Sequence, residues 1–339
     1  MKYCIVFSLL CLLFGLLMPR GAHAAIKSNA TDTSCWTQET SSIASHGYAL
    51  GTGVIDLFSS HVMETGNPVI GAMDYYLYNP VEHGADPNGE YPLLVMFHGA
   101  NNGGKNNEMC GALTDWMIYA STDYQEKLGG SYILFPKANE YTSPHTAVIH
   151  GISHTYCNTG TWMTQVDGTS VYSQALADLV TQLCTDYSIR RVYVMGTSAG
   201  GYMAWRFAID HPELCDKMVA VAPAYTPTLK ELQALRVHHI GIWVIHGLQD
   251  SNCPIFTFTG PIVDQLEQMP EARISILDVV RFGDKRIVSV ISNGKDIGQH
   301  LAQFAVGQNM LYADGTAYDA RYPDGLIAWL INENHVEVK

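Results

Sequence analysis

Four short stretches of this chain carry residue types that, if brought together, can do acyl-transfer chemistry. The first is Gly196-Thr197-Ser198-Ala199-Gly200, a serine between glycines at GxSxG spacing. A serine hydroxyl is a weak nucleophile by itself, and it needs a neighbouring base and a backbone that holds it clear of its surroundings. The second is His98-Gly99-Ala100-Asn101-Asn102-Gly103-Gly104, whose glycines let a loop approach a reacting group closely. Attack by Ser198 on a carbonyl creates an oxyanion that needs two preorganised donors. The N–H of Ala199 and an N–H at Ala100 or Asn101 are the candidates. The third stretch, His246-Gly247-Leu248-Gln249-Asp250, puts an acid just past an apolar run, where it can hold an imidazole in the right tautomer. The fourth, Ile297-Gly298-Gln299-His300, supplies the one histidine between Asp250 and the last helix-like segment. The expected geometry has His300 Nε2 on Ser198 Oγ and Nδ1 on Asp250. His246 reads as a packing residue at a strand end, and His335 would have to fold back to take part. His145, His150 and His154 precede the serine, where they could line a cleft.

Strand ends have to carry these residues to one place. Val192-Tyr193-Val194-Met195 enters the GxSxG turn as an apolar strand, and Gly201-Tyr202-Met203-Ala204-Trp205 leaves it competent for a helix. Pro92 to Phe97 and Gly241 to Ile245 are continuous apolar runs of the kind that form strands buried on both faces. Further strands are expected over 72–78, 131–135 and 218–222, and helices over 113–127, 172–187 and 199–210. Such alternation predicts an α/β fold with a mainly parallel sheet and helices on both faces. Two stretches break the rhythm. Residues 142–170 are long, rich in Gly, Thr and His, and carry Trp162, as functional loops often do. Residues 273–280 and 285–291 flank Phe282-Gly283-Asp284 and predict a hairpin. Trp162 and Tyr225 are candidates for an aromatic wall against a sugar or phenolic ring.

The strand followed by the HG loop, the segment RRVYVMGTSAGGYMAWRFAIDHPELC and the strand followed by HGxxD together resemble the α/β-hydrolase superfamily. Within it the resemblance is to exported esterases of the feruloyl and acetylxylan esterase and polyhydroxybutyrate depolymerase type, with related predicted peptidases. It covers about Ala72 to Leu330. The resemblance implies the α/β-hydrolase fold and hydrolysis of carboxylic esters through an acyl-enzyme, with no cofactor. Relatives carry a Gly-His pair shortly before an aromatic and a final helix. Here Tyr322 to Leu330 looks like that helix, but the upstream Asp314-Gly315-Thr316-Ala317-Tyr318 holds no histidine. The base then falls to His300, and the residues from there to Asp319 become an insertion. The displaced histidine keeps a second reading open, a non-catalytic relative that binds its ligand. A serine peptidase on the same scaffold is a third.

Composition bounds the rest. Met1 to Ala24 has Lys2 at its start, an apolar run from Tyr3 to Met18, and the small-residue site Ala22-His23-Ala24, which predicts an export signal and a secreted or periplasmic protein. A polar segment, 25–45, containing the sequon Asn29-Ala30-Thr31, is expected to drape over one domain spanning 46–339. The 19 basic side chains less Lys2 and Arg20 leave 17 against 32 acidic ones. That excess of negative charge repels phosphate backbones, so nucleic acid is not an expected partner, whereas a small or polymer-linked ester is. No second apolar stretch approaches a membrane span. No His/Cys cluster at zinc spacing occurs, so no metal is expected. Six cysteines remain after cleavage (Cys35, Cys110, Cys157, Cys184, Cys215 and Cys253), an even count that permits three disulfides in an oxidising compartment.

Overall fold

The computed structural model describes residues 35–39, 52–67, 70–100, 102–103, 111–138, 145–149, 152–156, 162, 169–282, 285–292 and 295–332. The expected export signal, the sequon, Asn101, His150 and His335 lie outside them. In chain order the strands are β1 (Cys35–Glu39), β2 (Ser59–Glu64), β3 (Ala72–Tyr78), β4 (Tyr91–Phe97), β5 (Tyr132–Pro136), β6 (His145–Ile149) and β7 (Ile152–Tyr156). They continue as β8 (Ile189–Thr197), β9 (Lys217–Val221), β10 (Gly241–Gly247), β11 (Ala272–Leu277), β12 (Arg281–Phe282), β13 (Lys285–Ser292) and β14 (Lys295–Asp296).

Eight of them form one sheet in the order β11-β10-β9-β8-β4-β5-β3-β2. The pairs from β11 through β5 are parallel, and β3 pairs antiparallel with both β5 and β2. The reason lies in the side chains. Every residue of β4, β9 and β10 is buried, and a strand apolar on both faces needs helices above and below it. Along β4, Leu93, Val95 and Phe97 pack into one core with the helices Ser173–Asp186 and Ala199–Asp210. Leu94 and Met96 point to the opposite core, which holds Trp116, Tyr124, Phe304 and Leu326. Chain order then fixes the crevice. From β4 the chain steps to β5 on one side, and later β8 docks on the other side of β4. The strand order therefore reverses between β4 and β8, where ligands of open α/β sheets bind at the carboxyl ends.

Several expectations are corrected. Residues 113–127 are not one helix: a 3-10 helix (Gly111–Ala120) stops at Ser121, and an α-helix (Thr122–Leu128) begins after it. Tertiary contacts set this segment, since Trp116 Nε1, Tyr119 Oη and Tyr124 Oη donate to the carbonyls of Gln303, Val306 and Gly307. The hairpin expected over 273–291 shrinks to two paired residues on each strand, Arg281 with Arg286 and Phe282 with Lys285. The run before it is instead a parallel edge strand, β11, because pairing with β10 buries both Ile274 and Leu277 on its two faces. In turn β13 leaves the main sheet and pairs in parallel with β1, so part of the polar N-terminal segment is a strand and not a drape. The long 142–170 stretch contains a β6–β7 antiparallel pair.

Three disulfides are not formed, because Cys184, Cys215 and Cys253 are free thiols. Burial pushes up the pKa of each, which suits apolar packing and not exchange. Side chains of Cys35, Cys110 and Cys157 lie outside the described residues. Among the described residues no helix is long and apolar enough to cross a membrane.

Candidate active site

β8 runs straight into Ser198, whose backbone sits at φ 56°, ψ −117°. A non-glycine residue rarely adopts that conformation, so the surroundings must enforce it. They do so from both sides. Ser198 N donates to Val221 O at 2.9 Å, and Ser198 O accepts from Tyr202 N at 3.0 Å and Ala224 N at 3.1 Å. The flanking glycines are required by contact: a Cβ on Gly196 would lie 2.0 Å from Gly200 O, and one on Gly200 would lie 2.0 Å from Phe97 O. The helix Ala199–Asp210 can therefore start directly against the end of β4, and its first N–H groups, Ala199 among them, have no partner within the helix. They and the helix dipole make this a place where negative charge is stabilised.

The HG loop lies beside that turn, because Phe97 pairs with Gly196 in the β4–β8 register. A Cβ on Gly99 would lie 3.7 Å from Ser198 Cβ. His98 fixes the loop from beneath. Its Nδ1 meets Gly99 O at 2.7 Å, and its Nε2 meets Ala138 N at 3.0 Å. The carbonyl needs a donor and the amide needs an acceptor, so the ring is neutral with its proton on Nδ1. Burial depresses its pKa to about 4, against the pull of the Gly99 carbonyl and with help from the Lys137 charge. Since the described residues have no cis peptides, a Gly99 carbonyl aimed at His98 turns the Ala100 N–H to the opposite side of the loop, away from the imidazole.

Asp250 follows the end of β10 and is buried. Its Oδ1 accepts from Asn252 N at 2.8 Å and Cys253 N at 2.9 Å. Its Oδ2 accepts from His300 Nδ1 at 2.7 Å. Oδ2 also lies 3.3 Å from His246 Nε2, and that nitrogen reaches Cys253 O at 2.7 Å. Both groups facing His246 Nε2 are acceptors, so the proton sits there and Nδ1 takes the Thr259 hydroxyl at 2.7 Å. Burial opposes charge on Asp250, but the His246 and His300 hydrogen bonds outweigh it and hold the carboxyl well below the usual carboxylate range.

His300 reaches this position on a braced turn. Gly298 N and Val290 N both donate to Asp296 Oδ1, and Gln299 bridges Val280 N and Ile287 O. Gly247 admits the turn, because a Cβ there would lie 2.2 Å from Gln299 O. The ring is thus joined to the acid by Nδ1, as expected. The other half of the expected geometry, Nε2 on Ser198 Oγ, is not formed as a hydrogen bond among the described residues. The serine hydroxyl lies beside the Cys253 thiol, which links it to the Asp250 turn.

Residues 92–240 match the α/β-hydrolase fold family. The chain has the α/β-hydrolase fold. A thermostable esterase is similar at 20% identity, with a TM-score of 0.54 over 76% of this chain and 61% of that one, so this chain spans about three fifths of that esterase. A mutant of the feruloyl esterase module from Clostridium thermocellum complexed with sinapinate is similar at 10% identity, with a TM-score of 0.50 over 86% of this chain and 95% of that one. No curated protein matches the chain.

Two site expectations are corrected on this α/β-hydrolase fold. Trp162 is 0% exposed and makes edge contacts with Phe97 and Tyr172, with Nε1 donating to His98 O at 2.8 Å. It supports the HG loop from below and presents no face to a ligand. Tyr225 is 6% exposed, and its hydroxyl is held between Arg206 Nη1 and the Glu231 carboxylate. Asn101 lies outside the described residues, as do the side chains of His145 and His154. The sequence reading missed Cys253 and the contact of His246 with the acid. The two residues between Asp250 and Cys253, Ser251 and Asn252, gave no signal that a tight turn would fold the thiol back to the serine.

Proposed function

We propose that this protein is a serine esterase that cleaves carboxylic esters through an acyl-enzyme. The observation that carries the reading is the buried Asp250–His300 pair at 2.7 Å, set at the strand ends by the same turn that reaches Ser198. With Nδ1–H committed to Asp250, Nε2 is the basic nitrogen of the ring. Ser198 Oγ bonds to the ester carbonyl carbon as its proton passes to Nε2. The N–H groups of Ala199 and Ala100 take the charge on the carbonyl oxygen. Collapse breaks the carbon–oxygen bond to the alcohol, which leaves with the proton from Nε2. Water then attacks the acyl-serine with Nε2 as base, and the acid departs as Ser198 is restored. Asp250 stays ionised throughout and stabilises the imidazolium. The open Ser198–His300 spacing suits a resting enzyme, in which catalytic hydrogen bonds often tighten only with substrate.

Polysaccharide-linked acyl groups or a polyester, met after export to a secreted or periplasmic compartment, are the substrates that the residue pattern and the apolar Met1 to Ala24 segment support. A fluorophosphonate should label Ser198 in the wild type and not in Ser198→Ala. A panel of acetyl, feruloyl, hydroxybutyrate and short p-nitrophenyl esters should contain at least one turned over, with a fall on the order of 10³ to 10⁶ in Ser198→Ala. Wild-type ester turnover retained by that variant overturns the mechanism. Peptide turnover without ester turnover assigns a peptidase, and no labelling assigns a binding protein.

A further inference from the structure

The segment after Asp250 does no work in the reaction above, yet it is tied to the proposed nucleophile. Cys253 is clamped at both ends of its peptide, by Asp250 Oδ1 and by His246 Nε2, with its thiol beside Ser198. From there the chain makes a compact turn, in which Thr257 N and Phe258 N reach Pro254 O at 2.9 and 3.2 Å and Gly260 N reaches Ile255 O at 2.6 Å. The far side is braced twice. The Thr226 hydroxyl, on the loop leaving β9, donates to Phe258 O at 2.7 Å, and Thr259 is held by His246 Nδ1. Ile255 and Thr259 point inward and are buried, whereas Phe256 is 60% exposed.

A lone surface phenylalanine needs no explanation. This one stands on a turn fixed at both ends, three residues from the thiol that adjoins the serine, a span of at most about 10–11 Å. That is the reach of an aryl or similarly long apolar group on an ester whose carbonyl sits at Ser198. We propose that Phe256 is a specificity-determining residue, the apolar lip on which an aryl group of the ester packs, with Cys253 as the floor between lip and nucleophile. The inference rests on the esterase reading for its place in the reaction, but the docking surface can be tested apart from it.

In Ser198→Ala protein, methyl cinnamate binding measured by calorimetry should weaken about five- to tenfold when Phe256→Ala is added, and Phe256→Tyr should keep the affinity. In the active protein, Phe256→Ala should lower kcat/KM for methyl cinnamate by a similar factor, leave ethyl acetate within about twofold, and leave the rate of Ser198 labelling by a small fluorophosphonate unchanged. Its exposure makes the substitution safe for folding, which an unchanged melting temperature verifies. Equal cinnamate affinity with and without the ring, or equal loss on both esters, overturns the proposal. A cinnamate difference in a protein that fluorophosphonate does not label supports the docking surface and rejects the esterase reading. Normal labelling with no cinnamate difference rejects only the role of Phe256.

Discussion

His98 and Asp250 are both buried ionisable groups one turn away from the serine, and their hydrogen-bond partners give them opposite charge states. Asp250 receives donors only, two amides and two imidazole N–H groups, so the carboxylate is favoured despite its burial. His98 has one acceptor and one donor facing it, a set that only the neutral ring satisfies, and protonation would set Nε2–H against the Ala138 N–H. For His98 the folded pKa lies below the ordinary 6.5, so the unfolded chain takes the proton first, and stability is lost as pH falls from about 6.5 to about 4. The full loss is on the order of 3 kcal/mol. Asp250 also has a lowered folded pKa, so its contribution is present above the ordinary carboxylate pKa and is lost only at more acid pH. Urea unfolding of the wild type at pH 7 and 5 should show a steeper drop than in His98→Asn, and equal drops would sink this account of the HG loop. At the proposed catalytic pair of Ser198 and His300, His300→Ala should slow ester turnover nearly as far as Ser198→Ala, on the order of 10³-fold or more, and the double variant should be little slower. Additive losses in single-turnover rates would show that the two side chains do not act as a unit.

Between elements, the site depends on backbone approaching backbone at places where no side chain fits. The turn bearing His300 crosses the end of β10 at Gly247, and an added Cβ there would meet Gln299 O, which flexible side-chain motion cannot relieve. Gly247→Ala should push His300 away from Asp250, lowering kcat by about 10²-fold or more while the sheet, paired on both sides of β10, stays formed. Far-UV circular dichroism like the wild type with wild-type kcat would exclude that linkage. These elements also mark what could be read in the sequence. β3 was legible to the residue from its alternating, aromatic-rich pattern, and β4, β8 and β10 nearly so, because strand segments buried on both faces are unbroken apolar runs. The serine turn was legible because a glycine on each side of it has a steric cause. The hairpin misreading of 273–291 has an equally physical origin. Both halves have strand character, but the choice of partner, β10 for one and β1 for the other, is made by chain segments far apart in sequence. His300 could be named as the remaining histidine, whereas the Asp296 and Gln299 hydrogen bonds that aim it at Asp250 depend on β13 and left no pattern.

At the scale of the whole molecule, the sheet divides labour between its two ends. The carboxyl ends of β4, β8 and β10 carry the HG loop, Ser198 and Asp250, and the opposite end is where the last helix, Gly325–Ile331, is fastened. The fastener is Lys217, the first residue of β9. Its buried Nζ donates to the carbonyls of Trp329, Leu330 and Asn332 at 2.6, 2.9 and 2.7 Å and sits over the rings of Tyr193 and Trp329. The last carbonyls of a helix lack partners within it and form the negative end of its dipole, so one ammonium supplies both hydrogen bonds and compensating charge. Lys217→Met keeps the length of the stem and removes the donors, leaving buried carbonyls unpaired. The variant should lose about 2–4 kcal/mol in urea unfolding and become more readily cut by protease near residues 325–332. Its ester turnover per folded molecule should match the wild type, because Val221, at the other end of β9, still holds Ser198 N. A stability change under about 0.5 kcal/mol would show the lysine to be dispensable. A fall in kcat with the fold intact would show instead that the two ends of the sheet are mechanically coupled.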